Sequence, residues 1–145
     1  MADSETPGAV DAALRALRHR DLSAADLEHR LEAKGFDEEE RADALATLQR
    51  TGLQDDRRFA ESRAAVLAAR GAGDALVRHE LVRAGVDEDL VADAIALLEP
   101  ERERALRIAE RRGYGPKTAR YLSGKGFSED SFGALVASSD GDELG

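Results

Sequence analysis

Apolar positions recur at helical spacing along almost the whole chain, and glycines interrupt them at regular places. Val10, Ala13, Leu14 and Leu17 fall at i, i+3, i+4 and i+7 and predict an amphipathic helix to about His19. Ser23 is placed to cap a second helix carrying Leu27 and Leu31, which Gly35 stops. Phe36 precedes Asp37 and Glu40, a hydrophobic staple beside a capping box. They open a third helix with Leu45 and Leu48 inward, running to about Thr51 and ended by Gly52. The pattern restarts at Leu53. Asp55 or Asp56 caps a helix bearing Phe59, Val66 and Leu67 that ends near Gly71. Gly73 and Asp74 open the next, with Leu76, Val77 and Leu81 and a stop at Gly85. Asp87 caps the one after, with Leu90, Val91, Ile95 and Leu98, and Pro100 bars its continuation while suiting the start of another. The last set has Leu106, Ile108 and Ala109 on Glu101 to Arg112, then a turn from Gly113 to Pro116. Tyr121, Leu122 and Gly126 follow, and Ser128 caps a final helix with Phe132, Leu135 and Val136. No alternation of period two is long enough for a strand.

A glycine-centred segment appears three times within this pattern: LEAKGFDEEERADAL, LVRAGVDEDLVADAI and LSGKGFSEDSFGALV. Each has a leucine four positions before the glycine (Leu31, Leu81, Leu122) and an apolar residue just after it (Phe36, Val86, Phe127). A capping residue comes next, and an aliphatic one, Leu45, Ile95 or Val136, stands ten after the glycine. The glycines lie 50 and 41 residues apart, the range of helical arrays. The expectation is an all-α tandem array of nine short helices in three three-helix modules, 9–52, 53–99 and 100–138. A disordered lead-in at 1–8 and a frayed acidic tail at 139–145 flank them.

Composition narrows the function classes. With 42% hydrophobic residues, much of it alanine, and only six aromatics, no single module can bury a large core, so neighbouring modules must stabilise each other. No apolar run approaches the roughly 20 residues of a membrane span, and residues 1–8 lack the apolar stretch of a secretory signal. Cysteine is absent, which excludes disulfide and thiol chemistry and fits a reducing cytoplasm. The net charge of -9 conceals a bipolar distribution. Residues 1–56 carry 7 basic and 14 acidic side chains, whereas 102–125 carry 8 basic and 2 acidic. An acidic chain overall binds free DNA weakly, but a local basic strip can meet an anionic partner surface.

The residues now described resemble the RecX family of regulatory proteins. Leu31, Lys34, Gly35, Phe36 and Asp37 to Glu39 carry the likeness, followed by Gly52-Leu53 and Asp55-Asp56-Arg57-Arg58-Phe59-Ala60-Glu61. Arg112-Gly113-Tyr114-Gly115-Pro116 and Lys125-Gly126-Phe127 complete it, so that it spans about residues 10–137. The resemblance implies an elongated, crescent-like array that binds the RecA recombinase, above all as a filament on DNA, and inhibits its ATPase and strand exchange. In the family the middle module usually has a basic glycine-proline turn. Here it reads Arg70-Gly71-Ala72-Gly73-Asp74, with Asp74 in place of the proline, which weighs against direct DNA contact through this module.

Candidate binding residues are cationic. Arg102, Arg104, Arg107, Arg111, Arg112, Lys117, Arg120 and Lys125 form a strip in which 104, 107 and 111 share one helix face and 117 and 120 another. It reads either as a groove wall for phosphates or carboxylates, or as a solvated face with pairs such as Glu103 with Arg107. Arg57, Arg58, Arg63 and Arg70, continued by Arg78 and Arg83, form a second line interleaved with acids. Tyr114, between glycines in a turn, either stacks on a partner or covers its own module. Phe36 and Phe59 are core at their helical spacing. His19, His29 and His79 lack metal-ligand spacing, and no nucleophile elbow, phosphate loop or zinc-protease pattern occurs, so neither a catalytic residue, a metal nor a cofactor is expected. The expected protein is a cytoplasmic monomer that acts by binding RecA. The alternative is a direct nucleic-acid binder built from helix-turn-helix-like units.

Overall fold

The structure, a computed structural model, describes residues 8–135. Its helices are α1 (Ala9–Leu17), α2 (Ala24–Ala33), α3 (Glu38–Arg50), α4 (Asp56–Ala69), α5 (Asp74–Arg83), α6 (Glu88–Ala96), α7 (Glu101–Arg112) and α8 (Pro116–Gly124). A ninth, α9, occupies 129–135. No strand occurs among the described residues. Of the expected lead-in at 1–8 all but Gly8 lies outside them, as do the end of the third module at 136–138, Val136 included, and the expected tail at 139–145. No helix of the described residues is long and apolar enough to cross a membrane.

The repeated glycine segment is a helix-ending device. Gly35, Gly85 and Gly126 have φ of 94°, 85° and 90°, the left-handed region open to glycine without a Cβ clash. In each copy the N–H after the glycine bonds the carbonyl of the leucine four before it: Phe36 to Leu31 at 3.2 Å, Val86 to Leu81 at 3.1 Å and Phe127 to Leu122 at 3.0 Å. This is the Schellman arrangement, in which two apolar side chains also meet across the helix end. It accounts for the leucine, glycine and apolar triplet that defines the repeat. The Asp37–Glu40 capping box forms, with bonds of 2.8 and 3.1 Å. Ser23 caps α2 through Asp26 N–H, and Asp55, rather than Asp56, caps α4 through Arg57 and Arg58 N–H. Asp87 stands at its N-cap position without a side-chain bond, and the Ser128 hydroxyl turns to Glu101 instead.

Three apolar clusters lie along the array. Ala13, Leu27, Leu31 and Leu48 centre the first, Phe59, Val77, Leu81 and Val91 the second, and Ala105, Ile108, Leu122 and Phe132 the third. The main helix contacts stay within α1–α3, within α4–α6, and between α7 and α8. The chain is thus an all-α tandem array of three-helix units. Phe59 is core as its spacing implies, whereas Phe36 is half-buried. Val66 and Leu106 are exposed, although their periodicity puts them among core positions. Val66 lies on the wall of a hollow between units, a surface that the spacing within one helix cannot register.

Candidate partner-binding site

The units join by one repeated arrangement. The start of the second helix of each unit packs on the glycine turn of the next. At the first junction the Ser23 hydroxyl donates to the Ala84 carbonyl (2.6 Å), and Ala24 N–H donates to the Asp56 carboxylate (2.8 Å). Buried Gln54 donates to the Leu22 carbonyl (3.1 Å) and to Asp56 (2.9 Å). At the second junction Gly73 N–H donates to the Lys125 carbonyl (2.8 Å) and Ala75 N–H to the Gly126 carbonyl (3.1 Å). Asp74 N–H donates to the Glu101 carboxylate (2.6 Å). Asp56 and Glu101 both stand at the first position of a unit's first helix, and each caps the second helix of the unit before it.

Glu101 also accepts from the Ser128 hydroxyl (2.7 Å) and N–H (3.1 Å). Burial pushes its carboxyl pKa up. Hydrogen bonds from the Ser128 hydroxyl, the Asp74 and Ser128 N–H groups and the Ser131 side chain outweigh that, and the carboxyl titrates below the usual glutamate range.

Arg104 departs from the basic strip read along the sequence. It is buried, and its guanidinium donates to the Glu99 and Ala72 carbonyls, both at 2.8 Å, and to the Asp74 carboxylate. The group also lies 5.8 Å from the Phe127 ring centroid. Arg104 therefore ties the second and third units together, and although it also lines the neighbouring cleft its buried guanidinium is committed to these partners. The aspartate at position 74 is the anion that compensates this buried cation.

Next to that clamp a cleft of about 850 Å³ opens between α4 and α7. It gathers Arg70, the C-cap of α4, with Arg107, Arg111 and Arg112 from α7, and Ala65, Ala68 and Ile108 also line it. Leu97, 70% exposed, stands at its edge. Arg107 pairs with Glu99. Arg112 lies flat over Tyr121, its guanidinium 3.7 Å from the ring centroid. Arg70 and Arg111 have no carboxylate within ion-pair distance among the described residues.

The other candidates are dispersed. Arg57 pairs with Asp93 (3.2 Å) and Arg78 with Glu88 (3.3 Å). Arg58 binds the Gly52 and Leu53 carbonyls. Arg63 lines a hollow of about 380 Å³ at the first junction, beside Arg83, Asp26 and Glu80. Arg102, Lys117 and Arg120 are exposed and are not among the residues lining the cleft that holds Arg107 and Arg111. Tyr114 is 38% exposed in that turn. Lys125 is half-buried, with its chain against Gly71. Sequence reasoning did not single out Gln54, Glu101, Glu99 or Leu97. The signal for Glu101 was an acid opening a unit, as Asp56 does; Leu97 carried none.

The geometry defines a tandem repeat protein whose three-helix units are fused through polar junctions and flank clefts between them. The description "RecX, second three-helix domain" fits residues 55–95, the stretch holding α4 to α6. The Regulatory protein RecX of Legionella pneumophila (strain Corby) is 35% identical over 135 residues, covering 84% of this chain and 88% of its own. That of Stenotrophomonas maltophilia (strain R551-3) is 34% identical over 137 residues, covering 88% and 83%. The crystal structure of RecX from Lactobacillus salivarius superposes with a TM-score of 0.78 over 97% of this chain and 99% of that one. At 22% identity it shares the fold. The chain belongs to the RecX family of regulatory proteins.

Proposed function

We propose that this chain binds the RecA recombinase as a filament on DNA and inhibits its ATPase and strand-exchange activities, and so modulates recombination and DNA repair. Kinship with the RecX regulators over most of their length carries the reading. The array acts as a cytoplasmic monomer, lying along the filament groove and touching neighbouring RecA subunits. Tighter binding to one filament conformation than to another is enough to hold back hydrolysis, because a ligand shifts an equilibrium by its differential affinity. The cleft cations Arg70, Arg107, Arg111 and Arg112 supply the principal contact. Arg57, Arg63, Arg78, Arg102, Tyr114, Lys117, Arg120 and Lys125 lie outside it and contribute less.

Titration into a mixture of RecA, single-stranded DNA and ATP tests this. Hydrolysis falls and saturates; an unchanged rate at saturating protein removes the proposal. Arg107→Glu combined with Arg111→Glu weakens inhibition about tenfold at unchanged helix content, and Arg120→Glu changes it far less, because rim charges act weakly. Retention on DNA without RecA, with steep loss as salt rises, would favour the direct nucleic-acid reading instead. The acidic first unit opposes that.

A further inference from the structure

We propose that the cleft between the second and third units is a docking groove for an acidic peptide segment bearing one large apolar side chain. The inference rests on the reading of this chain as a partner-binding regulator, and specifies the chemistry its main contact accepts. Two cations at the cleft, Arg70 and Arg111, are free of carboxylates among the described residues, and they come from different units. Ala65 and Ala68 of α4 line the same cleft and are small enough to leave room for an incoming side chain. Leu97 is the most exposed large apolar residue among the described ones and stands at the edge of this cleft.

Such a surface matches carboxylates around an apolar anchor. Arginine takes carboxylates in bidentate geometry, and the anchor covers area that the arginines cannot. A nucleic-acid strand fits it less well. Sequence-tolerant strand binding uses exposed aromatic faces for base stacking. Here the Tyr121 face is covered by Arg112, Phe127 is buried, and the exposed Tyr114 does not line the cleft. A phosphodiester backbone also has no use for an alanine-lined wall with a leucine at its edge. Glu99 occupies Arg107 within the same cleft, so an acidic ligand competes with it for that cation.

The test uses the full chain and fluorescence anisotropy with three probes. One is a fluorescein-labelled peptide of alternating glutamate and aspartate around a central leucine. The second has alanine in place of the leucine. The third is a labelled oligothymidylate of matching charge. The leucine peptide binds about tenfold tighter than the alanine peptide, in line with burial of one aliphatic side chain. Arg70→Glu with Arg111→Glu removes binding of both peptides, and Leu97→Ser removes only the preference for leucine. Glu99→Gln tightens both by about threefold, the scale of an exposed ion pair. Equal binding of the two peptides, or oligothymidylate bound as tightly as the leucine peptide, overturns the proposal. Parallel RecA hydrolysis assays separate the two claims. Leucine-dependent binding without inhibition of RecA keeps the groove and removes RecA as the partner. Inhibition without leucine-dependent binding keeps RecA and removes the groove.

Discussion

The two junctions between units serve the same backbone groups with different side chains. The carbonyl just before the second helix, of Leu22 in one and Ala72 in the other, is bound by buried Gln54 in the first junction and by buried Arg104 in the second. The carbonyl just before the repeat glycine, of Ala84 or Lys125, receives the Ser23 hydroxyl in the first and the Gly73 N–H in the second. The first N–H of the second helix reaches Asp56 or Glu101. What repeats is therefore a set of backbone donors and acceptors that must be satisfied once buried. The first junction satisfies them mainly with neutral partners, whereas the second uses a buried cation and the carboxylates around it.

The sharpest break in that comparison comes from glycine substitutions. A methyl group on Gly73 would stand 2.4 Å from the Gly126 carbonyl carbon and the Phe127 nitrogen, backbone atoms that cannot yield without parting the units. Gly73→Ala should cost about 3 kcal/mol or more. Gly85→Ala meets only the Ala25 methyl, at 2.5 Å, and adds the strain of its positive φ, so about 2 kcal/mol is expected. Gly35→Ala carries the φ strain alone, with open space around it, and should cost about 1 kcal/mol. Urea denaturation gives the order directly. Equal losses at all three would mean that the close approach between units adds nothing.

Arg104 and Gln54 compare the ionic and neutral solutions. Arg104→Met leaves the Asp74 carboxylate without its cation and should destabilise by about 3 kcal/mol. Gln54→Met strands the Leu22 carbonyl and removes one donor from Asp56, which keeps the Ala24 N–H, and should cost about half as much, ~1.5 kcal/mol. A larger loss at Gln54 would reverse the view of which junction is more dependent on its buried side chain.

Among the junction side chains the smallest effect is expected at Glu101. Its pKa is depressed in the folded chain, so the carboxylate stabilises the fold at neutral pH. That contribution disappears as acid carries the pH down through the folded-state value. Glu101→Gln should cost about 1 kcal/mol at neutral pH and flatten the acid side of the stability profile. A variant with the same acid profile as the parent would show that the bridge to Asp74 and Ser128 contributes nothing.

The helices, the three units and their glycine turns were legible in the sequence because each rests on local signals. Leu31, Gly35 and Phe36 sit within one helix end, and Asp37 with Glu40 within one turn. The contacts between units were not legible. Arg104 shares helical spacing with Arg107 and Arg111, and nothing local separates it from them. Its burial depends on the Ala72 carbonyl and Asp74, some thirty residues away. Asp74 looked like the loss of a basic turn, and its use appears only once the third unit is folded against it. Arg70 likewise joins Arg111 only through the packing of α4 on the neighbouring unit.

Pro116 opens α8, the counterpart of α2 and α5. Ala24 and Asp74, at the same place in those helices, each present an N–H that a carboxylate of the following unit must receive. Proline has no such hydrogen, so α8 makes no equivalent demand at its first position. The first two units therefore each carry a bare amide until the unit after them has been synthesised, so the order of translation is also an order of completion.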